Sequence, residues 1–497
     1  MSLNCNFRIQ TSYNFHTVTA AAVAYHVGFD LPPNAMPAAR LLRSRLLWSG
    51  FLTAALTACG GSVGIGGGFE PPPVSVATPG VAAIKLRTSA NAWTAMTEKL
   101  RPLANVAMPD RRLVIRREGG SASAAYAAPE GWSLIDFAMH PSRDMTAVLA
   151  STTGIRLVRL DDQGRVLKQA DFADPNAATD AFVGDPLVIR NSQSLVPFAT
   201  RDAARIAAIG EDAALVLRTG RNAVVAYRLG YSATAGFNTQ WRRLVEPGVP
   251  IGGVGLTSGS FDPFGGLDSQ WRVHMDVNAE GQIAVAVAIG LTEIVEGHSQ
   301  HFGEPLDPAL ANGVLLTQIA PNGARLTTTV VDTAKKSEIH AIRWVGDLVA
   351  LAGRVRSEIV PDGSGWDGYV ALVQPATRRV TSYRTVHADR GEVIFDIAPL
   401  AGGRLLVGGS AGYIQNPSGG SISEEAAPLL AVLDAQGRLV RRLPFAAGPR
   451  HNQIRSLAGW KGNLLIAGFD NGPGTHSADG NAALLTADGF IEEVATP

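Results

Sequence analysis

This sequence predicts an all-β fold made of repeated four-stranded units, on three observations. From Trp132 onward, short runs of alternating apolar and polar residues are separated by Gly, Asn or Asp, the pattern of half-buried strands joined by tight hairpins. The runs come in pairs with a shared plan, and three pairs close on glycines 353, 408 and 468, spaced by 55 and 60 residues. A second hairpin follows each pair, usually with a Gly in its turn to supply the positive φ that tight hairpins require.

The clearest first hairpins are His340-Ala341-Ile342-Arg343-Trp344-Val345-Gly346-Asp347 leading to Gly353, Phe395-Asp396-Ile397-Ala398-Pro399-Leu400 leading to Gly408, and residues 454–468. Weaker copies cover residues 134–150, 205–217 and 273–289, which makes six. The second hairpins lie at residues 157–166, 316–326 and 431–439. Residues 484–491 are a shorter version, and 370–380 keep the strands but lose the glycine. A four-stranded sheet cannot cover both its faces alone, whereas blades stacked in a ring bury their faces against one another. A six-bladed β-propeller is therefore expected over residues 131–497, with a β-sandwich or two smaller β-domains as the competing architectures. Residues 81–130 read as a lead-in, with a short helix over 91–103 and a strand over 112–116; the count becomes seven if that strand belongs to a further blade. The units resemble NHL-type and related bacterial propeller repeats, and that resemblance implies that the first strand of each unit lines a central channel.

The chain before the repeats has a different logic. Arg40, Arg43 and Arg45 precede an uncharged run over 46–58, which is the length of a signal-peptide core and too short to span a bilayer. The run ends in Leu56-Thr57-Ala58-Cys59. Residues 36–60 thus resemble the signal peptide of a bacterial lipoprotein. The resemblance implies cleavage before Cys59, acylation of its thiol and new amino terminus, and anchoring in a lipid bilayer. It also implies an outer-membrane home in a Gram-negative cell, because Gly60 is not the Asp linked to inner-membrane retention. Residues 59–80 then form a Gly-rich and Pro-rich tether, 36–58 the signal peptide, and 1–35 a disordered or mis-assigned extension, since Met36 lies where such a signal should start.

Charge and cysteine content narrow the function classes. The chain balances 43 basic against 43 acidic residues, which leaves no electrostatic footprint for nucleic acid. Its two cysteines are Cys5 and Cys59, so a chain cleaved before Cys59 has neither a disulfide nor a thiolate metal site.

Candidate chemistry is sparse. Gly408-Gly409-Ser410-Ala411-Gly412 matches a nucleophile elbow, but the residues after it read as loop where the elbow needs a helix. Glu293, Glu296, His298, His301, Glu304 and Asp307 crowd one loop with the donors of a divalent metal site. Asp362, Ser364 and Asp367, like residues 470–479, offer oxygens to calcium without an EF-hand series. Trp344 and Trp460 hold near-equivalent repeat positions and read as packing, while Trp366 sits in a Gly-rich loop where exposure is expected. The first strands carry Asp136, His274, Asp276, His340 and Asp396. The resemblance to propeller enzymes would make such residues ligands for a channel metal or calcium in a hydrolase, lactonase or quinone-type oxidoreductase.

No complete catalytic set emerges, so the expected function is a non-catalytic binding or scaffold module of the cell envelope. The loops between second and third strands swell at 291–313, 354–368, 410–428 and 469–481, and those between fourth and first strands on the same face bring His387, Asp389, Arg390 and His451. A protein or glycan partner is expected to touch Trp366, His298, His301, Arg390 and His476 on that face.

Overall fold

The computed structural model describes residues 78–79, 81–89, 92–99, 110–117, 124–151, 154–173, 188–191, 194–197, 204–218, 224–246, 273–289, 313–333, 337–356, 366–388, 391–412, 426–445, 451–472 and 488–497. Alternating apolar residues produce antiparallel four-stranded blades, as expected, and the ring contains seven of them. Six correspond to the repeats read from the sequence. Their first strands are Ser133–Met139, Ala204–Ile209, Val273–Val277, Ser337–Val345, Val393–Pro399 and His451–Trp460, in blades 2 to 7. The first strands pack against one another in sequence around the ring and line its centre.

The seventh blade comes from the stretch taken as a lead-in. Val81–Ser89, Ala92–Lys99, Asp110–Arg117 and Ala124–Ala127 pair in order as blade 1. The strand over 112–116 does belong to a further blade, and the helix expected over 91–103 is a correction. Ala92, Thr94 and Met96 alternate inward there at a period of two, and Ala95 is buried as well on the opposite face. Burial on both faces removes the alternation that marks a surface strand, so the segment has no readable period.

The chain closes its own ring. The last strand, Asp488–Val494, pairs with Asn463–Gly472 and is the third strand of blade 7. Thr78 and Pro79 add antiparallel to its other edge, opposite Gly489 and Asp488. Val81 then opposes Asp488 in parallel as the chain enters blade 1. The N-terminal residues thus complete the C-terminal blade, an edge strand is covered, and blades 1 and 7 become one continuous sheet.

Apolar clusters fill the spaces between blades. Ile135, Val148 and Leu157 of blade 2 meet Ile206, Leu215 and Tyr227 of blade 3, and Ile394, Val407 and Leu429 of blade 6 meet Ala350, Val370 and Leu372 of blade 5. Trp344 and Trp460 pack in such clusters, as their repeated position predicts. The glycine register needs one adjustment. The glycine equivalent to Gly353 and Gly468 is Gly409, since these three oppose Ile339, Ile454 and Ile394 beside a β-bulge. A Cβ at any of the three would run into a carbonyl oxygen of the facing first strand, that of Glu338, Val393 or Gln453. Their shared role is close backbone approach at a bulge, which re-aims the inner strand toward the channel.

Candidate functional site

The bulges place side chains that sequence alternation alone would have faced elsewhere. His340, Phe395 and Arg455 are the bulged residues of blades 5, 6 and 7, and all three line a cavity of about 120 Å³ in the central channel. Lys85, Arg87 and Arg111 of blade 1, Arg205 of blade 3, His274 of blade 4, and Arg343 of blade 5 line it too. Among the described residues of its wall Asp396 is the one carboxylate, against the cations Lys85, Arg87, Arg111, Arg205, Arg343 and Arg455, of which Lys85, Arg111 and Arg343 also pair with Asp136, Glu98 and Asp276.

The acidic residues singled out in the sequence do meet in the channel, and they hold blades together. Asp136 accepts the backbone N–H of Ile206 at 3.1 Å and of Phe137 at 2.8 Å, and takes the Lys85 ammonium as ion-pair partner. Asp276 accepts the Trp344 N–H at 2.8 Å. Asp396 accepts from Leu457 N at 2.9 Å, Ser456 Oγ at 3.0 Å and Ile397 N at 2.9 Å, while Arg343 Nη2 reaches it at 3.0 Å. Blades 2, 4 and 6 therefore each lend one carboxylate to the first strand of the next blade. Ser456 repeats the arrangement from blade 7 to blade 1, accepting the Leu86 N–H at 3.0 Å.

Charge density in this space shifts its ionisations. Burial, partly opposed by Asp136, pulls the Lys85 ammonium down to about 7, with Arg87 and Arg205 adding repulsion. Burial likewise lowers Arg87. Burial pushes the Asp136 carboxyl up, but Lys85, Arg87 and Arg205 together hold it below its ordinary value. For Asp276 burial wins over the pull of Arg343, and its carboxyl is raised. A buried space with this excess of cationic groups favours an anion and opposes a dication.

The remaining candidates divide sharply. Cys59, His298, His301, Arg390 and His476 lie outside the described residues, as do residues 357–365 and 413–425 of the swollen loops. Trp366 is a correction: it begins the third strand of blade 5, is 1% exposed, and carries the Arg354 guanidinium 4.4 Å above its ring. Its flanking glycines suggest a loop, but strand pairing of Trp366 with Arg356 draws it into the blade. Ser410 lies inside the strand Leu405–Ala411, fully buried, and donates to the Asn452 carbonyl at 3.0 Å, so it links blades 6 and 7. Sequence reasoning missed the channel cations, because a lysine or arginine on a blade 1 strand, or an arginine beside a bulge, looks like any surface cation until the ring is closed.

No family model matches the sequence, and no curated protein matches it. Solved structures similar to it include a protein of unknown function from Bacteroides caccae, 11% identical, covering 74% of this chain and 94% of that one, with a TM-score of 0.33. Another is PorZ, a bacterial surface component of the type-IX secretion system of Porphyromonas gingivalis, 13% identical, covering 84% of this chain and 48% of that one, with a TM-score of 0.41. A third is the β-propeller domain of the Trilobed protease from Pyrococcus furiosus, 8% identical, covering 85% and 96%, with a TM-score of 0.42. At these identities the likeness is one of fold.

Proposed function

We propose that this chain is a cell-envelope lipoprotein, anchored in a bilayer through Cys59, whose propeller is a non-catalytic binding module that takes an anionic ligand in its central channel. The observation that carries the binding half is the lining of the cavity: among the described residues six cationic side chains line it, and the carboxylates beside them, Asp136, Asp276, Asp396 and Glu98, are fewer. The first-strand carboxylates that a channel metal would need are committed to backbone N–H groups of neighbouring blades. Ligands of the expected class are small polycarboxylates, phosphate esters, or the acidic terminus of a peptide or glycan, each matched by guanidinium groups. The anchoring half rests on the signal-like residues 36–60. From Cys59 to Thr78 the chain can reach at most about 65 Å, which keeps the ring close to the membrane that holds it.

Titration calorimetry with citrate, inorganic phosphate and a sulfated oligosaccharide tests the binding. One of them should bind, more weakly at high salt, and Arg205→Ala should lower its affinity at least tenfold. Affinity should also fall as pH rises through about 7, where Lys85 loses its proton. Uniform failure of all three anions, or indifference to Arg205→Ala, would remove the channel as the binding site. Separately, Cys59→Ser should leave an unprocessed or mislocalised precursor, and unchanged detergent partitioning of that variant would end the lipoprotein reading.

A further inference from the structure

A second site lies away from the channel, between blades 5 and 6. Asp367 is the second residue of the strand Trp366–Gln374, His387 follows the strand Arg379–Val386, and Glu392 immediately precedes the strand Val393–Pro399. A backbone hydrogen bond between the blades fixes the two carboxylates beside each other: the Glu392 N–H donates to the Trp366 carbonyl at 3.1 Å. Gly368 makes room for this approach: a Cβ there would sit 3.2 Å from the Glu392 Cβ. One ligand-type atom from each of Asp367, His387 and Glu392 lies within 4.8 Å of the other two, and no other trio of His, Cys, Asp or Glu among the described residues does so.

We infer that Asp367, His387 and Glu392 form a binding site for a divalent transition-metal ion, with Zn²⁺ or Mn²⁺ the fitting class. One imidazole nitrogen and two carboxylate oxygens are a borderline donor set with too few oxygens for calcium. Ligands about 2.0–2.2 Å from a tetrahedral ion stand roughly 3.3–3.6 Å apart, and His387 Nδ1 is 3.6 Å from Asp367 Oδ1. The supporting contacts also match. His387 Nε2 is 2.8 Å from Thr385 Oγ1; donating there, it turns the lone pair of Nδ1 toward the carboxylates. Glu392 Oε1 accepts the Ala388 N–H at 2.8 Å, which holds that carboxylate in place. Both carboxylates are buried while the His387 side chain is 43% exposed, so an ion has an entry path and room for a solvent ligand. The site ties the end of blade 5 to the start of blade 6.

The full chain, stripped with chelator, is titrated with Zn²⁺, Mn²⁺ and Ca²⁺, and with Co²⁺ as a spectroscopic probe. One equivalent of Zn²⁺ should bind, Ca²⁺ should bind far more weakly, and Co²⁺ should give the visible bands of a nitrogen and oxygen site. His387→Ala, at a half-exposed position that the fold tolerates, and Asp367→Asn should each weaken Zn²⁺ at least tenfold. At a hundredfold excess over Kd the metal should raise the melting temperature by about 3 °C, a shift lost in both variants. Stoichiometric binding unchanged in both variants would mean other ligands, and sulfur-type Co²⁺ bands would mean Cys5 or Cys59. Absence of binding would leave an Asp367–His387 ion pair alone; any of these results overturns the inference. Arg205→Ala should leave metal binding intact, so the channel reading and this one fail separately.

Discussion

Beside the apolar clusters, several single polar side chains join one blade to the next. Asp396 is the most heavily used, with three donors and the Arg343 guanidinium around it. Asp396→Ala would leave the Arg343 charge and several donors without this acceptor, and should cost about 3 kcal/mol in urea unfolding. His140 plays a similar part between blades 2 and 3. Its Nδ1 lies 3.0 Å from the Gly210 carbonyl, which can only accept, so the ring is the Nδ1–H tautomer and Nε2 accepts from Thr146 Oγ1 at 2.8 Å. Burial, then repulsion from Arg159, lowers its pKa from 6.5 to about 4. Between those values the unfolded chain binds a proton that the folded chain refuses, so this contribution is complete above 6.5 and is lost as pH falls toward 4. The loss amounts to about 3 kcal/mol by linkage. Urea midpoints measured from pH 7 to 4 should fall accordingly, with a shallower fall in His140→Gln.

At the scale of the strand and turn, the repeats explain one another. The turns between third and fourth strands carry glycines 164, 323 and 437 at positive φ. In blade 5 the chain turns through Pro375–Thr377 instead, and Arg378 takes the left-handed conformation at φ 55. A side chain pays roughly 1–2 kcal/mol to sit there, less the extra entropy that a glycine loses on folding. Arg378→Gly should therefore stabilise the protein by about 0.5–1 kcal/mol, readable as a higher denaturant midpoint at unchanged m-value. The missing glycine at 370–380 was visible in the sequence, and the hairpin was still legible because its apolar alternation survives on both sides of the turn.

For the whole molecule, closure is the decisive feature. The pairing of Thr78 and Pro79 with the last strand is short, but it seals the seam between blade 7 and blade 1. Deleting residues 488–497 would strip blade 7 of its third strand and uncover Leu464 and Ile466, both buried beside Phe490. Blades depend on their neighbours, so the loss should spread. Calorimetry should show a lower, broader transition for the whole propeller, and a cooperative melt near the parent temperature would argue against a closed ring.

The sequence by itself determined the fold class, the hairpin plan of six blades, and the acidic residues of the inner strands, because strand alternation and turn glycines are local signals that survive in one dimension. Several facts were decided only by the tertiary structure. The strand over 92–99 in blade 1 is buried on both faces around Thr94, Ala95 and Met96 and so loses its period. The ring is sealed by pairing Thr78, Pro79 and Val81 with Asp488 and Gly489, a contact across nearly the whole described chain. Trp366 is drawn inside by its partner strand, and the bulges turn His340, Phe395 and Arg455 into the channel. Asp367 and His387 were both legible as candidates on one face, yet nothing in their separation of 20 residues says that Glu392 of the next blade stands beside them. Each of these depends on which strand becomes whose neighbour, and that is settled by how seven sheets bury one another's faces, not by any stretch of the chain read alone.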